Sequence, residues 1–326
     1  MVITRKKSNT QVKAKALVLF SGGLDSRLVV SILQEQGIEV ICLNFILPFG
    51  CGCCSNSGCN MNFCQTEKVK LIHIDCTRGR EFRNYMKILE KPKYGFGRGL
   101  NPCINCRIFM LKKAKALMKK LNADFIATGE VLGQRPMSQH RRAMENIEKD
   151  AVLVGKILRP LSAKLFSETL AEKEKLVDRT KLFAIHGRAR KKQIELANKF
   201  KIKYPMPAGG CLLCDKRYSF KLADLIKDKK VKKEVITYSD IVLLDGFRHF
   251  RAKGRIILGK NQTDNDKLEQ LNTELEYNIM FPLERGPTAL YESKKDRVLV
   301  KEMIEAFSSP DLKEREKFDS LRIIKE

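Results

Sequence analysis

The chain has no tryptophan, only four histidines, fewer acidic than basic residues and no long apolar run. The absence of tryptophan excludes no class of function, and His140, His186 and His249 are too irregularly spaced to be proposed as metal ligands. The apolar run that follows Lys15 is far too short for the core of a signal peptide or for a membrane span. We therefore predict a cytoplasmic protein with no membrane partner.

Acidic residues are strongly outnumbered. Among the 326 residues there are 63 Lys and Arg against 38 Asp and Glu, which gives a formal net charge of +25. A field of this sign and size attracts polyanions, so we predict nucleic acid as the large partner. The alternative is a lysine-rich solvated surface of the kind found in many thermophile proteins.

Short apolar runs alternate with stretches of helical period in the first half of the chain. The runs, rich in Val and Ile, lie at 16–20, 39–44, 70–75, 124–128 and 152–157, and the helical stretches at 26–36, 80–90, 107–121 and 139–149. This alternation predicts an α/β fold with a doubly wound parallel sheet. Ligands of such sheets bind at the carboxyl ends of the strands.

The length of the chain and a change of pattern near Tyr238 predict two domains. The first spans 1–232, with its sheet core at about 14–160 and a helical extension with a cysteine segment at 161–232. The second is a smaller α+β domain at 233–326. We expect two charged helices within 168–200, and in the second domain strands at 241–244, 255–258 and 277–281 and helices at 264–272 and 296–307.

A glycine-rich turn follows the first apolar run and precedes a helical stretch. It reads Ser21-Gly22-Gly23-Leu24-Asp25-Ser26 and comes directly after Phe20. Backbone N–H groups and the positive end of a helix dipole then converge on one point, which suits a phosphate. We predict that ATP binds at Phe20–Ser26, with Mg²⁺ on Asp25. No lysine follows as in kinases and GTPases, and the alternative is a turn that serves packing alone.

Eleven cysteines in a reducing compartment indicate metal or sulfur chemistry rather than a disulfide framework. Cys103 and Cys106 share the first turn of a predicted helix, where the helix dipole stabilises thiolates. With the remote Cys211 they could hold three irons of a 4Fe-4S cluster. With Cys214 added, the same residues could form a closed zinc site, and catalysis by a thiol or persulfide without metal is a third option.

A second group of cysteines crowds a Gly/Asn/Ser-rich loop, and its spacing matches no single ligand pattern. Two interpretations stay open for these cysteines: they bind zinc or a second iron–sulfur cluster, or they are thiols without a ligand. The residues are Cys51, Cys53, Cys54, Cys59 and Cys64. We predict that Cys42 and Cys76, at strand positions, are small core residues.

Four separated segments together resemble the PP-loop ATP pyrophosphatases that thiolate tRNA. They are Ser21–Ser26, Lys93–Cys106, Thr128–Gln139 and Pro207–Cys211. The similarity covers roughly residues 15–225 and is closest to the 4-thiouridine synthetase-like branch without an N-terminal RNA-binding domain. The fold it implies is adenine nucleotide α-hydrolase-like. Residues 255–268 resemble an NFACT-type RNA-binding domain, although this second match is weaker.

The resemblance implies a tRNA uridine sulfurtransferase that forms 4-thiouridine. A uridine carbonyl oxygen attacks the α-phosphate of ATP, pyrophosphate leaves, and sulfur displaces AMP. Asp25, Cys103 and Cys106 would be catalytic, and a 4Fe-4S cluster on Cys103, Cys106 and Cys211 would deliver sulfide. Sulfide itself or a cysteine-desulfurase-type protein would donate the sulfur, and a homodimer is left open. Further contacts would come from Gly129, Gln134 and Ser138 toward ATP or the nucleotide, and from Arg135, Arg141, Arg142, Arg248, Arg251, Lys253 and Arg255 toward RNA.

Three departures from the family and three rival functions stay open at this point. The departures are the missing rhodanese-like domain, the cysteine at Cys214 and the unusual density of cysteines in the 51–64 loop. The rivals are 2-thiouridine synthesis by the same chemistry, a small-molecule ATP pyrophosphatase that makes amides, and a non-catalytic zinc-stapled RNA-binding protein.

Overall fold

The computed structural model describes residues 14–50, 57–206 and 210–323. The chain divides into two compact units, the first made of Met1–Gly97 and Pro102–Gly210 and the second of Arg98–Asn101 and Cys211–Glu326. Residues 211–232 thus group with the second unit, whereas the sequence placed them in the first domain. The domain boundary itself stays a prediction.

The first unit is built on a parallel five-stranded sheet, so the predicted α/β fold is confirmed. The strand order is β3-β2-β1-β4-β5. The first strand lies at the centre, where Val18 is opposite Cys42 on one side and Ala127 on the other. The strands are β1 (Lys15–Leu19), β2 (Glu39–Ile46), β3 (Lys70–Asp75), β4 (Phe125–Thr128) and β5 (Ile157–Leu158).

Helices cover both faces of this sheet, which makes it doubly wound. They are α1 (Leu24–Glu35), α2 (Ser57–Thr66), α3 (Gly79–Glu90), α4 (Cys103–Lys120), α5 (Arg141–Ala151), α6 (Leu170–Lys173) and α7 (Lys191–Lys199). Ala16 and Val18 pack with α1, α2 and α7, whereas Leu17 and Leu19 pack with α4 and α5. Because both faces are buried, the strands read as continuous apolar runs.

Two predicted elements of the first unit were wrong in extent. The strand expected at 152–157 is only Ile157–Leu158, because Val152 ends α5 in the left-handed conformation with φ 56°. The charged helices expected in 168–200 are the short α6 and α7, with 3₁₀ turns at Ala163–Leu165 and Arg179–Lys181.

The second unit contains a four-stranded antiparallel sheet with helices, as the predicted smaller α+β class requires. The strand order is β6-β7-β9-β8. Its strands are β6 (Arg248–Arg251), β7 (Arg255–Leu258), β8 (Asn278–Met280) and β9 (Ala289–Tyr291). Its helices are α8 (Lys216–Lys232), α9 (Tyr238–Leu243), α10 (Gln262–Leu275), α11 (Arg297–Ser308) and α12 (Leu312–Glu316), with 3₁₀ turns at Leu212–Cys214, Lys294–Asp296 and Asp319–Leu321.

The strand expected at 241–244 is wrong, because this segment belongs to α9. A capping box starts the helix: Thr237 Oγ1 accepts from the backbone N–H of Asp240, and the Asp240 carboxylate accepts from the backbone N–H of Thr237. The apolar run therefore packs as a helix face. No helix in the described part of the chain is long and apolar enough to cross a membrane.

Candidate functional site

The turn between β1 and α1 is held in a conformation that only glycine adopts easily. Gly22 has φ +77°, and a Cβ placed on it would lie 1.7 Å from Oδ1 of the buried Asn60. Gly23 is the N-cap of α1, and its carbonyl accepts a hydrogen bond from Ser26 Oγ at 2.9 Å. Ser21 Oγ lies 3.4 Å from Ser26 Oγ. The predicted loop residues are thus brought together at the N-terminus of a 12-residue helix.

A second glycine allows β4 to end against this turn. A Cβ placed on Gly129 would lie 2.8 Å from both the carbonyl carbon of Asp25 and the backbone nitrogen of Ser26. Contacts this short do not occur for real side chains, so any other residue here would displace the turn or the strand end. Gly129 therefore lies at the predicted site and fixes the position of Asp25.

Asp25 is the central polar group of the site. Its Oδ2 accepts a hydrogen bond from Gln134 Nε2 at 2.8 Å. Its Oδ1 is buried and has no hydrogen bond of normal geometry to any described residue. Burial raises the pKa of Asp25, although the amides of Gln134 and Gln193 and the charges of Arg190 and Arg135 oppose the rise. An anionic oxygen without a partner is the ligand that a divalent cation requires.

The glutamine that contacts Asp25 is itself held by a residue that the sequence did not single out. Gln193 Nε2 on α7 donates to Gln134 Oε1 at 3.2 Å, and the Gln193 side chain is fully buried. Gln134 was expected to touch ATP or the nucleotide, whereas here its amide contacts Asp25. Nearby, the buried Nε of Arg190 has no hydrogen-bond partner within the described segments.

Arg27 braces the turn from behind, and the sequence analysis missed it. Its Nε donates to the carbonyl of Gly22 at 2.7 Å, its Nη1 to the carbonyl of Lys203 at 2.7 Å, and its Nη2 to Cys59 Sγ at 3.0 Å. The guanidinium also lies over the Phe63 ring, 4.7 Å from its centroid. A charged residue on an otherwise apolar helix face was the signal in the sequence.

Phe20 has a packing role in the structure. Its ring stacks on Phe63 at 5.4 Å between centroids and is 2% exposed. Its backbone carbonyl accepts a hydrogen bond from Asn44 Nδ2 at 2.9 Å. The side chain therefore supports the turn from the core, and a direct contact with ATP stays a prediction.

A buried ion cluster follows β4, beside the site. Glu130 is 1% exposed, and its two carboxylate oxygens each lie 3.2 Å from a guanidinium Nε, one of Arg107 and one of Arg159. Arg159 is paired in addition with Glu148. Burial alone would raise the pKa of Glu130, but the two arginines outweigh it and hold the pKa below its ordinary value. This carboxylate is already neutralised, so it is structural.

Cys103 and Cys106 lie in the first turn of α4, as the sequence predicts. The Cys106 Sγ lies 3.3 Å from the hydroxyl of Tyr85. That the helix dipole favours the thiolate of either cysteine stays a prediction. Burial raises the pKa of Cys106, while the Tyr85 hydroxyl and Arg107 only partly oppose the rise.

Cys211 precedes a 3₁₀ turn of the second unit and Cys214 is its last residue, with the Cys214 N–H donating to the Cys211 carbonyl at 2.9 Å. In that unit the Leu100 N–H donates to Ser219 Oγ, which donates to the carbonyl of Leu213. No group of three or more His, Cys, Asp or Glu side chains within the described residues is gathered closely enough to hold a metal ion. The cluster on Cys103, Cys106 and Cys211, with or without Cys214, stays a prediction.

Of the cysteine loop, Cys51, Cys53 and Cys54 lie outside the described residues. Cys59 contacts Arg27, as given above, and Cys64 is buried against Cys42. Contact with Cys42 and the charge of Arg27 lower the pKa of the Cys64 thiol. Cys42 and Cys76 are both fully buried, which confirms them as core residues. The second metal site stays a prediction.

The predicted RNA-facing arginines of the second unit need correction. Arg255 is 2% exposed, with its Nη2 2.8 Å from Asp224, and Arg251 is paired with Asp224 and Asp228. Arg248 donates to the carbonyl of Gly259 at 2.6 Å. His249 is buried, and burial together with Lys221 holds its pKa well below the ordinary value. Buried and paired cations do not offer charge to a phosphate.

Other members of the predicted RNA surface are exposed. Arg135, Arg142 and Lys253 are open to solvent. Arg141 is also exposed, although its Nη2 donates to the carbonyl of Leu165 at 2.8 Å and its guanidinium lies over the Phe166 ring. RNA binding by these residues stays a prediction.

Residues 14–154 match the family model described as tRNA methyl transferase HUP domain. A curated relative, the tRNA-specific 2-thiouridylase MnmA of Amoebophilus asiaticus, is 33% identical over 129 residues, which make up 36% of this chain and 34% of the relative. The protein of the same name in Methylobacterium radiotolerans is 25% identical over 265 residues, 76% of this chain and 65% of that protein. The chain thus spans about a third of the first relative's length and just under two thirds of the second's.

Among solved structures, the U34-tRNA thiolase NcsA from Methanococcus maripaludis with its 4Fe-4S cluster covers 72% of this chain and 72% of its own, at 17% identity and a TM-score of 0.38. A likeness at that TM-score supports no inference about activity. The fold assignment therefore relies on the family match and the sheet topology. The family match ends at residue 154, so the NFACT-type resemblance of the C-terminal segment stays a prediction.

Proposed function

We propose that this chain, whose residues 14–154 match the family model described as tRNA methyl transferase HUP domain, is an ATP-dependent tRNA uridine sulfurtransferase of the PP-loop type. The observation that carries the proposal is the buried Asp25 Oδ1 at the N-terminus of α1, which accepts no hydrogen bond of normal geometry from the described residues. A buried anionic oxygen without a partner is costly, and a bound cation that also contacts the polyphosphate at the helix N-terminus would compensate its charge. The curated relatives, which are tRNA-specific 2-thiouridylases by name, support tRNA as the substrate.

Each residue of the turn has a role in this reaction. The backbone N–H groups of Gly22 and Gly23 and the helix dipole bind the polyphosphate, and Asp25 holds Mg²⁺ through Oδ1. The loop has no lysine, so we assign to Arg190 the cation that faces the leaving pyrophosphate. Its buried Nε has no hydrogen-bond partner among the described residues, and its charge already acts on Asp25.

The chemistry is an activation followed by a displacement. The uridine carbonyl oxygen bonds to the α-phosphorus of ATP, the bond to the β-phosphate oxygen breaks, and pyrophosphate leaves. Sulfide then attacks the activated ring carbon, and AMP departs with the former uridine oxygen. The chain's part is to hold the α-phosphate in line and to keep charge on the leaving group compensated.

We assign sulfur delivery to Cys103, Cys106 and Cys211. Two of these thiols share the first turn of α4. A 4Fe-4S cluster bound by the three thiolates would supply an open iron to carry sulfide, loaded from sulfide or a cysteine-desulfurase-type donor. The chain must remove the proton of Cys106, and the Tyr85 hydroxyl favours the resulting thiolate.

The two products, 4-thiouridine and 2-thiouridine, are both candidates. The order of the four sequence motifs supports 4-thiouridine. The second is favoured by a separate observation, that curated relatives across 36% to 76% of the chain are 2-thiouridylases by name. Because tRNA is the proposed substrate, we propose that the reaction takes place in the cytoplasm.

Mass spectrometry of nucleosides tests the proposal. The purified protein is incubated anaerobically with ATP, Mg²⁺, sulfide and unmodified tRNA, and the digested tRNA is analysed. We expect a thiouridine with wild type and none with Cys103→Ala, while ATP binding is retained. The control is Cys76→Ala, a buried thiol that is not among the three proposed ligands, which should keep the activity. Pyrophosphate release that an amino acid stimulates and tRNA does not would contradict the proposal in favour of an amide-forming enzyme.

A further inference from the structure

We propose that Gln193, on α7, is a positioning residue for nucleotide binding, which it controls through Gln134 and Asp25. The inference builds on the proposed function, because it takes the β1–α1 turn as the ATP site. It adds an element remote in sequence, α7, to that site.

Three side chains form a continuous hydrogen-bonded path. Gln193 Nε2 donates to Gln134 Oε1 at 3.2 Å, and Gln134 Nε2 donates to Asp25 Oδ2 at 2.8 Å. The residues come from α7, from the segment after β4 and from the first turn of α1. All belong to the first unit, and α7 packs against α1 on the same face of the sheet.

The path determines which end of the Gln134 amide faces the carboxylate. An amide has a donor end and an acceptor end, and a carboxylate accepts only. Because Gln193 donates to Gln134 Oε1, the NH₂ group of Gln134 is turned toward Asp25. Without that donor the two orientations of the amide come closer in energy, and in one of them an oxygen faces an oxygen of Asp25.

Holding Oδ2 has a direct consequence for the other oxygen. With Oδ2 occupied by Gln134, the carboxylate is fixed with Oδ1 buried, and Oδ1 has no hydrogen bond to any described residue. Gln193 thus fixes the orientation in which Asp25 presents one oxygen to Mg²⁺ rather than sharing both. Residues that hold a metal ligand in place in this way affect how strongly that ligand binds the cation.

The burial of Gln193 separates this role from a structural one. Its side chain is fully buried, and its Oε1 has no hydrogen-bond partner within the described chain. A buried amide oxygen without a partner costs stability. Replacing this amide by an apolar side chain of similar length removes that cost but also leaves Gln134 Oε1 without its donor, so the two effects offset each other and the fold is expected to stay about as stable. If Gln193 served only to stabilise the fold, its replacement would instead lower the free energy of unfolding.

The test is a double-mutant cycle read by nucleotide binding. Calorimetry measures the affinity of the full chain for the Mg²⁺ complex of α,β-methylene-ATP, for wild type, Gln193→Met, Gln134→Ala and the double variant. We expect Gln193→Met to weaken binding roughly tenfold in wild type, as for loss of a hydrogen bond near a charge. In the Gln134→Ala background the same change should cost clearly less than in wild type, because the path through Gln134 is already broken and only the direct interaction of Gln193 with Asp25 is left.

The controls separate positioning from folding. Thermal unfolding without nucleotide should show Gln193→Met near the wild-type midpoint. Gln34→Met removes another partly buried glutamine, whose Nε2 donates to the Glu67 carbonyl at 2.8 Å, and should leave nucleotide affinity unchanged. Gln193→Glu, of the same shape, presents only acceptors to Gln134 when ionised and should weaken binding at least as much as Gln193→Met.

The outcomes separate the inference from the proposed function. Coupled losses in nucleotide binding from a protein that never thiolates tRNA would support the inference and overturn the function. Equal losses in both backgrounds, or unchanged binding in an enzyme that thiolates tRNA, would overturn the inference alone. A wild-type protein that does not bind the Mg²⁺–nucleotide complex would overturn both.

Discussion

Two acidic side chains follow neighbouring strands of the same sheet, and they differ in what neutralises them. Asp25, after β1, has an oxygen without a hydrogen bond to any described residue, and burial raises its pKa. Glu130, after β4, also has an oxygen without a hydrogen bond of normal geometry to the described residues, but its two oxygens are ion-paired with Arg107 and Arg159, which hold its pKa low despite burial. The comparison of the two carboxylates indicates that a buried charge compensated by the protein serves the fold. A buried charge without compensation instead indicates where a ligand binds.

The sharpest way to break this comparison is Asp25→Asn. Removing the charge should lower tRNA-dependent pyrophosphate release on the order of a hundredfold or more, because the cation loses its anionic ligand. The same change relieves a buried, uncompensated charge, so the free energy of unfolding should be unchanged or increased. Steady-state kinetics and chemical denaturation measure the two effects. An inactive variant that is also strongly destabilised would mean that Asp25 is structural.

The reverse pattern is expected for Glu130→Gln. Breaking one partner of a buried ion cluster should lower the free energy of unfolding by about 3–5 kcal/mol, while the folded fraction still binds nucleotide. The wild-type contribution should be present above the ordinary glutamate pKa of 4.5 and lost as the pH falls through the lower folded-state pKa. The variant should lack this acid-dependent part. Denaturation curves between neutral and acid pH test it, and an unchanged curve would contradict the structural role.

Gly129→Ala perturbs the surroundings of Asp25 without changing any charge. The new methyl group would lie 2.8 Å from the backbone of Asp25 and Ser26, so the turn must shift. We expect nucleotide affinity to fall roughly tenfold, since shifts near 1 Å at such sites are costly. The matched control is Gly37→Ala, another glycine of the first unit with nothing within 4 Å of an added Cβ, although its φ of +77° carries its own strain. Equal affinity losses in both variants would refute a specific effect.

The smallest effects concern charge in the second unit. Lys253 is exposed, whereas Arg251 is paired with Asp224 and Asp228. If Lys253 contacts a phosphate, Lys253→Ala should reduce the slope of log affinity for tRNA against log salt by about 1, as for one lost phosphate contact. Arg251→Ala should leave the slope unchanged and lower stability instead. Filter binding across a salt series measures the slope for both variants. A slope reduced by Arg251→Ala and unchanged by Lys253→Ala would indicate that Arg251, and not Lys253, contacts a phosphate.

The sequence was sufficient for the sheet and for the turn that follows its central strand. A Val- and Ile-rich run before Ser21-Gly22-Gly23 is a local signal, because glycine and the strand period act on the nearest few residues. It could not reveal Gln193 or Arg27, since their partners, Gln134 and Lys203, are distant in the chain. Nor could it separate Lys253 from Arg255, because composition counts charges and only packing shows which of them Asp224 has neutralised.

The most direct measurement follows one oxygen atom. A tRNA labelled with oxygen-18 at the uridine carbonyl is incubated with the enzyme, ATP, Mg²⁺ and sulfide, and the AMP released is weighed by mass spectrometry. Adenylation predicts that AMP carries the label, from the O4-labelled tRNA for 4-thiouridine or the O2-labelled tRNA for 2-thiouridine. Unlabelled AMP together with thiolated tRNA would show that the uridine oxygen never bonded to the α-phosphorus, and would contradict the role assigned to the turn at Ser21–Ser26.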